Sequence, residues 1–151
     1  MATSGIQRIN ISLDGATRER HDSFRGVEGA FDGALRDIEF AKKAGIEFQV
    51  NTTISKLNYD QIPQILKLAE NLGAVALHIF LLVPTSRGKY IIDQEISAQE
   101  YESTLNWFYD QKDKTRLQLK ATCAPHYYRI MRQRARAERQ NRLLGDPASM
   151  P

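Results

Sequence analysis

Hydroxyl, amide and carboxylate side chains recur at three places: Ser12 with Asp14, then Asn51, Thr52 and Thr53, and then, past Leu82, Val83 and Pro84, Arg87. Brought to one rim, these groups would suit a polar ligand carrying sugar-like hydroxyls. A plainer reading stands beside that one. Asp14-Gly15 is a turn pair, and Asn51-Thr52-Thr53 can be a strand end with a local cap.

Periodicity says which elements would hold these residues. Arg8 to Leu13 alternates apolar and polar residues, as a strand does, and stops at the turn pair. Phe31, Leu35, Ile38 and Ala41 share one helical face over 30–44, with Gly45 as the stop. Glu47 to Ile54 is a second strand. Ile62, Ile65, Leu66, Ala69 and Leu72 mark another helix, with Asp60 as its expected cap, Pro63 in its first turn and Gly73 at its end. Ala76 to Val83 is a third strand, in which His78 is expected to be hydrogen-bonded core structure. Ser97-Ala98-Gln99-Glu100 is a capping box opening a helix with Tyr101, Leu105 and Phe108 inward. A short strand near Leu117 to Ala121 and an Arg-rich helix from about His126 follow. Strands alternating with amphipathic helices predict an α/β fold of parallel βα units with right-handed crossovers. Parallel sheets average about five or six strands, so this chain is either a small open domain or half of something larger.

Composition narrows the function classes. The 151 residues are 42% apolar and 26% charged, as in ordinary globular domains. The longest apolar run, Ala74 to Pro84, is shorter than the roughly 20 residues of a membrane span. No basic and apolar leader is visible after Met1, so the cytoplasm is the expected compartment. The single cysteine, Cys123, excludes an internal disulfide and any cluster site built from several thiolates of this chain. The net charge of +3 is concentrated in Pro125 to Pro151, where six arginines face only Glu138 and Asp146. Such a run reads either as a solvated helix face or as a dock for an acidic partner.

Ile11-Ser12-Leu13-Asp14-Gly15, followed by His21-Asp22-Ser23-Phe24-Arg25-Gly26, resembles the fourth strand and following helix of radical S-adenosylmethionine (SAM) enzymes that carry a C-terminal auxiliary-cluster domain of the SPASM type. Val50-Asn51-Thr52-Thr53 and Phe80-Leu81-Leu82-Val83-Pro84-Thr85-Ser86-Arg87-Gly88 resemble the fifth and sixth strands of the same partial (β/α)6 TIM-like barrel. The last of these, with Thr122-Cys123-Ala124-Pro125-His126-Tyr127-Tyr128-Arg129, is most similar to the branch that converts side chains of sirohaem-derived tetrapyrroles in haem biosynthesis. The resemblance runs from about Arg8 to Arg134.

The resemblance implies roles. Ser12 would hydrogen-bond the SAM ribose, with Asp14 fixing the turn behind it. Arg25 would pair with the methionine carboxylate, a helix-surface salt bridge being its plainer role. Asn51 and Thr53, on one face, would reach SAM hydroxyls, and Leu82 and Val83 would meet the adenine. Arg87, His126 and Tyr127 would bind the tetrapyrrole substrate, although a solvent-exposed loop arginine and packed aromatics are the ordinary alternatives. Cys123 matches the first ligand of the auxiliary cluster, or is a small buried hydrophobe. The full-length enzyme would use SAM and a [4Fe-4S] cluster in an oxidoreductase reaction, hydrogen abstraction by a 5′-deoxyadenosyl radical.

The departures weigh equally. Neither Cys-x-x-x-Cys-x-x-Cys nor the Gly-Gly-Glu segment of the family is present. The expectation is therefore a C-terminal half-barrel over residues 1–122, an Arg-rich helix over 123–144 leading toward an auxiliary domain, and a disordered tail over 145–151. Alone it is expected to be inactive, with no tightly bound cofactor. Losing half a barrel would expose a strand edge and the inner faces of Ile9, Ile11, Val50 and Ile79, so self-association is expected. A peptide- or cofactor-maturing radical SAM enzyme, and a small α/β binding domain with a basic tail, are the competing readings. Nucleic-acid binding ranks below them, because only Tyr127 and Tyr128 interleave with the arginines.

Overall fold

The computed structural model describes residues 5–83 and 93–145. Arg87, and the tail beyond Gly145, lie outside them. The elements are β1 (Arg8–Ser12), α1 (Arg18–Arg25), α2 (Ala30–Lys43), β2 (Glu47–Ile54), a 3-10 turn (Tyr59–Gln61), α3 (Ile62–Leu72), β3 (Ala76–Leu81), α4 (Ala98–Asp110), β4 (Gln118–Thr122) and α5 (Pro125–Gly145). The four strands form one parallel sheet in the order β1-β2-β3-β4. This α/β architecture is that of part of a TIM-like barrel, with the parallel pairing that the βα alternation predicts.

Most of the helix starts are capped, some locally and one from a neighbouring helix. Thr17 caps α1, and Gly26 ends it in the left-handed conformation at φ 66°. Gly29 precedes α2 and offers no side chain to cap it; the Asp22 carboxylate of α1 does so from a distance, accepting the N–H groups of Gly29 and Phe31 at 2.8 Å each. Ser97 and Glu100 close the expected capping box on α4. Asp60 is not the cap of α3, correcting the sequence reading. The 3-10 turn places Gln61 at that position, and Asp60 pairs instead with Arg20 at 2.9 Å.

The two faces of the sheet differ sharply. Ile11 and Leu13, then Phe48, Val50, Thr52 and Ile54, then Leu77, Ile79 and Leu81 are all buried, and the apolar ones join Ile38 of α2, Ile65 of α3, Leu105 and Phe108 of α4 and Ile130 of α5 in one core. Burying each such aliphatic side chain is worth about 1.5–3 kcal/mol. The opposite face carries Asn10 and Ser12, Gln49, Asn51 and Thr53, His78 and Phe80, and Lys120 and Thr122.

The expected apolar patch is thereby corrected. Ile9, Ile11, Val50 and Ile79 point toward the helices, and the open face is mostly polar, so nothing in it supports the self-association expected from the sequence. His78 lies on this open face rather than in the core. Arg8 meets Glu47 at 2.9 Å and Gln118 at 3.3 Å, so side chains of the two outer strands touch across the floor of the polar face. At the other end the strands' C-termini form an open rim.

α5 packs along α4. Its arginines are partly spent on that contact, Arg129 pairing with Glu102 and Arg134 with Asp110, while Arg132, Arg136 and Arg139 are exposed. Among the described residues no helix is long and apolar enough to cross a membrane.

Candidate functional site at the strand C-termini

The rim is built by side chains that interrupt the β1–β2 ladder. Leu13 N–H still donates to the Asn51 carbonyl at 3.0 Å. One residue further the backbone pairing stops. The Leu13 carbonyl accepts from Thr52 Oγ1 at 2.7 Å, and the Thr53 N–H donates to Asp14 Oδ1 at 2.7 Å. Asn58, 1% exposed, closes the junction: its amide donates to the carbonyls of Asp14 (2.9 Å) and Thr53 (2.7 Å), and its Oδ1 accepts from Ser55 N–H (2.9 Å). Sequence reasoning missed Asn58, whose only signal is an amide inside a turn.

Asp14 is buried under this rim, and Oδ2 lies 2.6 Å from Arg25 Nη2. Among the described residues no well-aligned hydrogen bond reaches that oxygen, so the contact is an ion pair. Burial pushes the Asp14 carboxyl above the usual carboxylate value, outweighing the Thr53 N–H and the Arg25 charge. The Asp14 N–H donates to His21 Nδ1 at 2.9 Å, so that nitrogen is unprotonated, and burial holds His21 below its usual pKa. His21 is thus part of the structural support of the turn. Gly15 is required by proximity: a Cβ there would stand 2.5 Å from the backbone nitrogen of His21.

Ser12 and Arg25 share a cavity of about 600 Å³ beside β1, walled also by Asn10, His21 and Asp37. Asn51 stands opposite Ser12 in register, and Thr53 follows it on the same face. The Gln49 amide donates to Asn51 Oδ1 at 3.0 Å and to His78 Nδ1 at 2.9 Å, using both its hydrogens. Burial, with Lys120 and Arg8 nearby, lowers the His78 pKa.

Leu82 and Val83 line a different cavity, of about 690 Å³, with Ile96, Tyr101, Cys123 and His126. The cofactor residues grouped by sequence therefore fall into two places. Tyr127 joins neither, which corrects its expected substrate role: its ring is buried 6.0 Å from that of Phe108, in the core. Cys123 is exposed and adopts the left-handed conformation (φ 57°), turning the chain from β4 into α5. The single thiolate cannot meet the needs of a thiolate-held iron–sulfur cluster, so such a cluster does not fit this chain's residues alone.

A parallel sheet with helices on its apolar face and polar side chains at the strand C-termini is the architecture of part of a βα barrel. No protein-family model matches the chain. Curated relatives do. It is 59% identical to the AdoMet-dependent heme synthase of Oleidesulfovibrio alaskensis, over 89% of this chain and 35% of that protein. It is 58% identical to that of Nitratidesulfovibrio vulgaris, over 91% of this chain and 38% of that protein. For the Methanosarcina barkeri protein of the same name the identity is 51%, over 91% and 39%. The chain thus spans somewhat over a third of the length of these relatives. By sequence and fold it is a segment of the radical SAM family, in the haem branch.

Proposed function

We propose that this chain supplies the second half of a SAM-binding barrel in an enzyme that modifies the side chains of a sirohaem-derived tetrapyrrole on the way to haem. The observations that support the reading are that Ser12, Asn51 and Thr53 share one face of the sheet and that Ser12 and Arg25 line one cavity beside β1, in a chain more than half identical to AdoMet-dependent heme synthases. SAM fits this donor set. Arg25, with 39% of its side chain exposed and Asp14 behind it, can offer further N–H groups to the methionine carboxylate. Ser12, Asn51 and Thr53 would bond ribose hydroxyls. Asp14 and Asn58 fix the rim that carries them.

Bound SAM would supply the hydrogen-abstracting group. The cluster that family chemistry requires needs thiolates beyond Cys123, so this chain alone is expected to be inactive. Leu82 and Val83, which the resemblance would put against the adenine, line the second cavity with His126 and are here assigned to the macrocycle side; Arg87 keeps the substrate role that the resemblance implies. Cys123 is retained as an auxiliary-cluster ligand of the full-length enzyme.

Isothermal titration of the chain with SAM tests the reading. Saturable binding is expected, weakened about tenfold by Arg25→Ala, as for loss of one charge-assisted contact. Absence of binding at millimolar SAM, or equal binding by Arg25→Ala, would overturn it.

A further inference from the structure

The cavity at the ends of β3 and β4 holds one feature that the rim chemistry does not use. Its described lining combines apolar groups, from Leu82, Val83, Ile96, Ala98 and Tyr101, with Glu95, Cys123, Pro125, His126 and the Arg129–Glu102 ion pair. A volume of about 690 Å³ is within the roughly 300–1,000 Å³ of clefts that take organic ligands. His126 stands in the first turn of α5, exposed, with its ring 5.8 Å from that of Tyr101 at 83°. This edge-to-face contact favours one orientation of the imidazole. Neither ring nitrogen has a hydrogen-bond partner among the described residues. The other two histidines differ: His21 is buried with Nδ1 engaged by Asp14 N–H, and His78 Nδ1 is engaged by Gln49.

We propose that His126 is an axial ligand to the central iron of a tetrapyrrole seated in this cavity. The inference rests on the haem-branch reading and goes beyond it, by naming the atom type that holds the metal and the wall that receives the ring. Imidazole nitrogen is a common protein ligand to haem iron, and the apolar part of the lining suits a flat macrocycle. Cys123, on the same cavity, is the competing ligand, with sulfur in place of nitrogen.

The test is titration of the intact chain with ferric protoporphyrin IX, followed by absorption and electron paramagnetic resonance. One equivalent is expected to bind with imidazole–iron features. His126→Ala is expected to bind about tenfold more weakly, to lose those features, and to regain them on addition of free imidazole. His126→Gln, which keeps a polar side chain at this exposed site, is expected to lose them as well, and Cys123→Ala to keep them. Retention of the features in both His126 variants, or their loss in Cys123→Ala, would overturn axial ligation by His126 while leaving the tetrapyrrole reading intact. Failure of the unaltered chain to bind the iron tetrapyrrole at one equivalent would overturn the tetrapyrrole reading itself, and this inference with it.

Discussion

The carboxylate of Asp14, 1% exposed, lies 2.6 Å from the guanidinium of Arg25, which keeps 39% of its surface in contact with solvent. One partner of this ion pair is sealed into the β1–β2 junction and the other reaches the cavity that Ser12 lines. Burying an ionised carboxylate costs more than a single partly exposed arginine returns. The pair is therefore a positioning device rather than a source of stability, and its effects on folding and on ligand binding separate.

Asp14→Asn tests that separation. The amide oxygen can still accept the Thr53 N–H, and the buried charge is gone, so stability at neutral pH should be unchanged or higher, whereas SAM affinity should fall severalfold because Arg25 is no longer anchored. Asp14→Ala leaves the Thr53 N–H without its acceptor and should cost about 1–3 kcal/mol. Urea unfolding beside SAM titration distinguishes the two. A large loss of stability in Asp14→Asn would contradict the account.

The pH dependence follows from the directions of the shifts. The folded-state pKa of Asp14 is above its usual 3.8, so its contribution to stability is fully present below that value and is lost as pH rises through the folded value. His21 and His78 are below their usual 6.5, so theirs is present above pH 6.5 and is lost as pH falls through the folded values. Imidazole NMR titration should show both histidines still neutral at pH values where an unfolded histidine is protonated. Either of them titrating above 6.5 would refute the assignment.

Asn58 should behave as a core residue despite its polarity. Asn58→Ala removes three hydrogen bonds at a buried junction and should destabilise the chain by about 2–4 kcal/mol. Denaturant midpoints would show it. Gly15→Ala should be of similar size, because the new methyl meets the α1 backbone rather than a movable side chain.

Tyr127 and His126 are adjacent in sequence and opposite in consequence. Tyr127→Ala should cost about 3–5 kcal/mol of stability through the emptied core position, whereas His126→Ala, at an exposed site, should leave the unfolding midpoint within about 0.5 kcal/mol. A reversal would mean that α5 packs on α4 in a different rotation.

Incubation of the chain with iron and sulfide should yield no [4Fe-4S] cluster and no SAM cleavage, because Cys123 is its one thiolate. Cluster absorbance together with 5′-deoxyadenosine would refute this.

The sequence by itself determined the βα alternation, because burial on a twisted sheet demands period two in strands and an apolar stripe in helices. Phe31, Ile38 and Ala41, or Ile62, Ile65 and Leu66, announce their faces without help. It also placed Asn51 and Thr53 on one face, since side chains alternate along a strand, while the pairing of Ser12 with Asn51 came from the register of the sheet. The capping box at Ser97 was legible because both its members lie within four residues. Tertiary structure decided what depends on partners distant in the chain. Asp22 caps a helix it does not begin, Asp14 and Thr52 replace ladder bonds that β2 would otherwise make, and Asn58 ties two strand ends across 44 residues. The orientation of the sheet was also beyond local reading. Alternation says that Ile11 and Ser12 face opposite ways, but only the packing of α2 to α5 on one side makes the isoleucine face the core and leaves the serine face open to a ligand.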